Sequence, residues 1–354
     1  MTPFIEHLLN SPVPVPIQRL EQGFQTPPLQ PVEHPLLIQR DVQLWIKRTD
    51  LLHPVISGNK WYKLKYNLVA ALRQGAKGIV SFGGAWSNHL HALAAACCEL
   101  QLPVTAVIRG EPELIDKSQM LQDAAQWGMQ FHFVTRAEYR QRENEDWLQQ
   151  LMQSYPGYLL VPEGGSSALA ELGLVELGQE LEQQLQAEPV AIDQLWCAMG
   201  TGGTFAGLLA ARTQNHQMLG MPVLKGGDFL RQEVEQKLAQ SVYLSGSAQT
   251  SSSGSAGSDS RVLDHRDFTL ITDGHLGGYG KVSPELVRWI NQFYQDTGVP
   301  LDPIYTGKLL YRFFQGLELP EGEIGAVAAG SRVVLLHSGG LQGRRGFGLP
   351  WLAG

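Results

Sequence analysis

The sequence predicts an α/β protein of two domains, each a mostly parallel twisted sheet flanked by helices. Three observations carry the prediction. Short apolar segments alternate with helical stretches long enough to serve as crossovers between parallel strands. Several of those segments end in glycine pairs or glycine loops, the punctuation of a strand-to-helix turn. And 354 residues exceed what one simple hydrophobic core accommodates.

The elements follow in chain order. Residues 1 to about 35 are rich in proline and read as irregular wrapping. Residues 42–48 alternate as a half-buried strand does, and 61–74 read as a helix closed by Gly75. A buried strand at 78–82 breaks at Gly83-Gly84, and a helix follows over 87–100. Then come a strand at 104–108, a helix at 120–127 and a strand at 130–134. The strand at 159–162 ends in Glu163-Gly164-Gly165-Ser166-Ser167 and is followed by a helix over 169–185. The strand at 194–198 feeds a glycine loop at 200–204, with a helix over 205–212 and a further strand expected at 223–225. Residues 245–260 are nearly all Ser, Gly, Ala and Thr, which cannot bury a core, so a mobile surface loop is expected there. A last strand spans 332–337 and exits at Ser338-Gly339-Gly340.

Composition excludes several function classes. A net charge of -7 disfavours nucleic acid or an anionic membrane, both of which need a basic surface. No stretch approaches the ~20 apolar residues of a membrane span. The start, Met1 to His7, has neither the basic residues nor the apolar run of a signal peptide. Cys97, Cys98 and Cys197 are odd in number and form no C-x-x-C pair, which points to a reduced, cytoplasmic compartment. His89 and His91 lie two apart on one helix and face different sides, so no metal is expected there or elsewhere.

The candidate chemistry starts at Lys60, which follows Ser57-Gly58-Asn59 where strand gives way to helix. A solvated lysine at a helix start has the same local signature, so Lys60 gains meaning only from its company. Gly200-Thr201-Gly202-Gly203-Thr204 lies between an apolar strand and a helix. Converging N–H groups, a helix dipole and threonine hydroxyls make an anion cradle suited to one phosphate. A tight strand-to-helix turn reads the same way. No Gly-Lys-Ser/Thr ends the loop, so it is not a Walker loop, and Phe205 and Thr204 break the dinucleotide fingerprint. Residues 82–89 repeat the design, with Ser87 or Asn88 as the natural N-cap. A helix start with exposed amides also suits a carboxylate. One phosphate pocket, one carboxylate pocket and a lysine between them have the shape needed by pyridoxal phosphate holding an amino acid.

Taken in order, five motifs resemble the D-cysteine desulfhydrase and 1-aminocyclopropane-1-carboxylate deaminase family. They are Gly58-Asn59-Lys60 with Lys63-Leu64, residues 83–89, residues 200–204, Leu301-Asp302-Pro303-Ile304-Tyr305-Thr306-Gly307-Lys308, and His337-Ser338-Gly339-Gly340. These are fold-type II pyridoxal phosphate enzymes, similar to tryptophan synthase β, and the resemblance runs from Leu51 to Gly340. It implies a large cofactor-binding domain of residues 1–62 and 166–354 and a small domain of 63–165. It implies that Lys60 carries pyridoxal 5'-phosphate as an imine and that Asn88 hydrogen-bonds the ring oxygen. Gly200, Thr201, Gly202, Gly203 and Thr204 would hold the phosphate, and Tyr305 would lie against the pyridine ring. Thr306 and Ser338 would approach the ring nitrogen. Ser87, Asn88 and His89 would take the substrate carboxylate. Tyr279, in Gly277-Gly278-Tyr279-Gly280, matches a second active-site tyrosine. Most relatives are dimers or larger, so a homodimer acting on a small amino acid is expected.

The same resemblance bears on the reaction. Deaminases of the family carry a glutamate after the stacking tyrosine, where this chain has Thr306, and Ser338 supplies a second hydroxyl. A carboxylate would keep the ring nitrogen protonated and strengthen the electron sink; a hydroxyl would not. Opening a cyclopropane ring needs a strong sink, whereas eliminating a good leaving group needs less. The reading is therefore β-elimination, with D-cysteine giving pyruvate, ammonia and hydrogen sulfide. In the other reading of Thr306, it only packs and Ser338 alone sets the ring nitrogen. The rival functions are cyclopropane deamination, a racemase or β-replacement synthase, and a nucleotide-binding module built on the 200–204 loop.

Overall fold

A computed structural model describes residues 5, 7, 8, 11–187, 191–245 and 264–352. The Ser/Gly-rich stretch therefore lies, apart from Ser245, outside the described residues. The backbone divides into two compact units. One comprises residues 1–25, 52–173 and 342–348; the other comprises 26–51, 174–341 and 349–354.

The first unit is built on a four-stranded parallel sheet. Its strands lie side by side in the order Gln130–Val134, Val104–Arg109, Gly78–Gly83, Tyr158–Val161. Gly78–Gly83 is buried at every position, which explains why its sequence runs apolar without alternation. Gly78 is required by close packing, because a Cβ there would stand 2.3 Å from the Tyr158 ring. Helices Asn59–Arg73, Asn88–Glu99, Gln119–Gln126 and Glu145–Gln153 belong to this unit. Each of the last three starts on a side-chain cap, with Ser87, Ser118 and Asn144 accepting from the N–H three residues on. Val80, Phe82, Val107, Val134, Tyr139 and Leu151 form a buried cluster of its core.

The second unit carries a six-stranded sheet in the order Leu29–Val32, Gln43–Arg48, Arg332–His337, Gln194–Met199, Gln217–Pro222, Thr269–Leu270. Every pairing is parallel except that of Leu29–Val32 with Gln43–Arg48. Helices Gly203–Ala211, Leu230–Ala239, Pro284–Thr297 and Thr306–Gly316 lie in this unit. Pro284–Thr297 shows how local chemistry sets the ends. Ser283 caps the Leu286 N–H at 3.1 Å, Pro284 fills the first turn, and Gly298 leaves at φ +70°. The core gathers Trp196, Ile290, Phe293, Leu309 and Phe313, with the Trp196 and Phe313 rings edge to face at 5.5 Å.

Two expectations are corrected. Residues 1–35 are not all irregular, since they hold the helix Val15–Glu21 and the strand Leu29–Val32. Pro31 is tolerated there because the strand sits at a sheet edge and has one neighbour. The strand expected at 223–225 is instead Gln217–Pro222. Gly220 and Pro222 look like breakers, yet a Cβ on Gly220 would meet Met199 Sδ at 2.3 Å, and Pro222 is the last residue of the strand. No described helix is long and apolar enough to cross a membrane.

Candidate active site

In the first unit, Gly58 turns the chain at φ +69° and the helix Asn59–Arg73 begins at the next residue. Lys60 is therefore a first-turn residue, half-buried, and its Nζ donates to Asn59 Oδ1 at 2.5 Å. Ser87 caps the helix Asn88–Glu99 by accepting from the Leu90 N–H at 3.3 Å. That contact uses an acceptor lone pair of the hydroxyl and leaves its hydrogen available. The Asn88 and His89 main-chain N–H groups head the helix, where the dipole favours an anion. Asn88 Oδ1 is buried and has no hydrogen-bond partner.

His89 is fixed in one tautomer. Ser81 Oγ donates its only hydrogen to the Val161 carbonyl at 2.8 Å, so it can only accept from His89 Nε2, 2.7 Å away. Nδ1 then holds a lone pair and has no partner. Burial, reinforced by the charges of Lys60 and Lys63, lowers this imidazole to about 3, so it stays neutral. Because the ring is committed to Ser81, any service of His89 to a carboxylate falls to its main-chain N–H.

Three features of this unit went unread in the sequence. The turn after Tyr158–Val161 brings Gly165 against the helix residues Lys63 and His89, where a Cβ would lie 3.4 Å from each. Ser166 Oγ, next in the chain, is buried without a partner. The C-terminal segment 342–348 returns to the same region. A Cβ on Gly346 would stand 2.8 Å from the Trp86 ring, and Arg345 bonds Asp123 at 2.6 Å, with His91 on that same carboxylate at 3.1 Å.

In the second unit, Gln194–Met199 runs into the 200–204 turn and the helix Gly203–Ala211. Gly202 sits at φ +76° as the N-cap, a conformation that L side chains resist. Gly200 gives way to Tyr305, since a Cβ there would be 3.3 Å from the tyrosine ring and 3.4 Å from its hydroxyl. Tyr305 and the 200–204 turn thus lie side by side. Burial first, then Tyr279 and Asp302, pushes the Tyr305 phenol well up, so it remains protonated. The Tyr279 ring stands edge to face with Tyr305 at 6.2 Å.

The motif 301–308 explains how Tyr305 is held. Buried Asp302 Oδ2 accepts from the Ile304 and Tyr305 N–H groups at 2.9 and 2.8 Å, and Oδ1 accepts from Thr306 N–H at 2.8 Å. An aspartate just before a helix is a signal the sequence did offer. Gly307 is forced by packing, because a Cβ would lie 2.5 Å from the Asp302 carbonyl oxygen. Thr306 is fully buried and its Oγ1 has no partner. Ser338, also buried, follows the last strand, where His337 Nδ1 accepts from the Gly339 N–H at 3.1 Å and Nε2 donates to the Pro300 carbonyl at 2.8 Å.

Pyridoxal phosphate fits these residues. The head of a nine-residue helix offers N–H groups to a phosphate, Gly200 has no side chain to crowd the adjacent Tyr305 ring, and Thr306 Oγ1 is desolvated with nothing to bond. Asn88 Oδ1 is likewise buried with nothing to bond, in its own unit.

Comparison with known proteins agrees. The profile of a family described as "Pyridoxal-phosphate dependent enzyme" matches residues 22–339. A Pyrococcus furiosus protein, provisionally named a 1-aminocyclopropane-1-carboxylate deaminase, is 29% identical over 94% of this chain and 97% of its own. An Arabidopsis thaliana protein named as a bifunctional D-cysteine desulfhydrase/1-aminocyclopropane-1-carboxylate deaminase is 28% identical over 85% of this chain and 73% of its own. A crystal structure described as an ACC deaminase homologue superposes with a TM-score of 0.73 at 27% identity, covering 97% of this chain and 96% of the other.

Proposed function

We propose that this chain, which belongs to the family of pyridoxal-phosphate dependent enzymes, eliminates the β-substituent of a small amino acid, with D-cysteine giving pyruvate, ammonia and hydrogen sulfide. One observation carries the choice among the family's reactions. Thr306, the first helical residue after Tyr305, presents a buried, unpartnered hydroxyl and no carboxylate. A hydroxyl does not hold a ring nitrogen protonated as a carboxylate does, so the site suits a substrate with a labile Cα proton and a good leaving group.

When bound, the cofactor supplies the electron sink for charge left at Cα. The protein supplies the rest. Lys60 would be the point of attachment, and its Nζ would take the Cα proton. The Ser87 hydroxyl hydrogen and the Asn88 and His89 main-chain N–H groups bind the substrate carboxylate. The 200–204 turn would hold the phosphate, Asn88 would serve the ring oxygen, and Tyr305, with Tyr279, would serve the ring. Thr306 and Ser338 would offer the ring nitrogen hydroxyls rather than a carboxylate. The Cβ–S bond breaks, sulfur leaves with the electron pair and gains a proton, and water converts the released enamine to pyruvate and ammonia. The large and small domains implied by the motifs, a homodimer and a cytoplasmic location complete the proposal. An odd number of cysteines with no C-x-x-C spacing supports a reducing compartment.

The name of the Pyrococcus relative favours a second reading, cyclopropane deamination, and that of the Arabidopsis relative carries both. The experiment is an absorbance titration of the purified holoenzyme with D-cysteine, L-cysteine, D-serine and the cyclopropane acid, with products identified. Pyruvate and sulfide from D-cysteine support the proposal. 2-Oxobutyrate from the cyclopropane acid, with no turnover of D-cysteine, replaces it. Lys60→Ala should abolish both the bound-cofactor absorbance and the borohydride-reducible lysine adduct.

A further inference from the structure

Lys308 is fully buried, and its ammonium meets main-chain carbonyls, those of His275 at 2.9 Å and Gly278 at 2.8 Å. Asp302, the acid whose charge acts on it, has committed its oxygens to three N–H groups. Burial lowers the amine to about 8. Desolvating an ammonium without a close carboxylate is expensive, and a neutral side chain would fill the space more cheaply. The contacts show what the charge achieves. His275 and Gly278 bracket a turn in which Leu276, Gly277, Gly278 and Gly280 have φ of +49°, +90°, +116° and +72°. A leucine at positive φ is strained, so the turn needs a tether to hold it. The residue it carries is Tyr279, 62% exposed and edge to face with Tyr305. Lys308 and Thr306 share one helical turn, and Tyr305 caps it. Asp302 fixes one tyrosine to that turn, and Lys308 fixes the other.

We propose that Lys308 is a positioning residue: it ties the 275–280 turn to the helix Thr306–Gly316 and so holds Tyr279 against Tyr305 for work on the substrate. The inference rests on the reading of Tyr279 and Tyr305 as active-site residues. A double-mutant cycle on the holoenzyme tests it, using D-cysteine turnover by wild type, Lys308→Met, Tyr279→Phe and the double variant. Each single change should lower kcat/KM about tenfold, the scale of one lost positioning contact. The double variant should fall no further than the worse single one, because both remove one function. Lys308→Arg, which keeps the charge and its donors, should recover part of the loss. Multiplying losses, or a Lys308→Met enzyme with unchanged kcat/KM, would overturn the inference.

A second measurement is independent of substrate. The Gly278 and Lys281 amides, bonded within this turn at 3.1 Å each, should exchange hydrogen at least tenfold faster in Lys308→Met. Unchanged exchange would also overturn it. If the wild type consumes none of the amino acids tested, the functional proposal fails while the exchange result still reads the tether. If D-cysteine is consumed and the cycle is additive, only the tether fails. Should Lys308→Met not fold, Lys308→Gln is read in both measurements by the same criteria.

Discussion

Replacing Asp302 by asparagine changes almost no volume and strikes the capping that holds Tyr305 and Thr306. The carboxylate accepts three main-chain N–H bonds of 2.8–2.9 Å while 2% exposed. An amide oxygen can replace one carboxylate oxygen and keep at most the Ile304 and Tyr305 bonds. The NH2 group then faces the Thr306 N–H, donor against donor. Losing one charge-assisted bond costs about 1.5–3 kcal/mol. Removing a negative charge from the N-terminus of an 11-residue helix adds about 0.5–1 kcal/mol. Asp302→Asn should therefore destabilise the second unit by about 2–4 kcal/mol, which for a unit this size lowers the midpoint on the order of 5–15 °C. Calorimetry of the cofactor-loaded protein at pH 7 is the assay. Since Tyr305 lies on Gly200, cofactor affinity should fall in parallel. A midpoint within about 1 °C of wild type, with cofactor affinity unchanged, would refute the claim that this carboxylate organises the helix start.

Three further outcomes follow from the geometry. Ser87→Ala removes a carboxylate donor and a helix cap, so KM for the amino acid should rise about tenfold with kcat little changed and stability about 1 kcal/mol lower; an unchanged KM would remove Ser87 from the carboxylate site. Gly307→Ala drives a methyl to 2.5 Å from the Asp302 carbonyl and 2.6 Å from Ile290 Cδ1, and should cost at least about 2 kcal/mol in chemical denaturation; a neutral effect would show that the helix start has room. His89 and His216, lowered by burial to about 3 and about 4, bind protons more weakly folded than unfolded, so stability should drop as pH falls below 6.5 and continue to drop toward those values. Each contributes about 2 kcal/mol of loss by pH 5, and His216→Asn should make the acid limb shallower; a flat profile from pH 6.5 to 5 would mean these rings are not held neutral.

The alternation of strand and helix was legible because it rests on local chemistry. The sheet Gly78–Gly83 to Tyr158–Val161 appeared at its expected segments, and Ser87 and Gly75 ended their helices as caps should. The misses share a cause. Pro31, Gly220 and Pro222 are breakers by propensity, and a sheet edge, a neighbouring methionine and a strand end respectively make them acceptable. The candidate residues were found by motif and order. Their protonation and partners were not, because those depend on what faces them.

The amino-acid order alone determined most of the segments that form strands and helices, where glycine turns begin them, and which lysine, hydroxyls and tyrosines could serve a phosphorylated aldehyde. Those properties are set by neighbours a few residues away, through caps, dipoles and backbone freedom. Tertiary structure alone decided that Tyr305 lies on Gly200, that His89 is neutral with Nδ1 unpaired, that Thr306 is desolvated, and that Lys308 reaches across to a turn some thirty residues earlier. A desolvation penalty or a hydrogen-bond partner belongs to the space around a group, and folding fills that space with residues from distant parts of the chain.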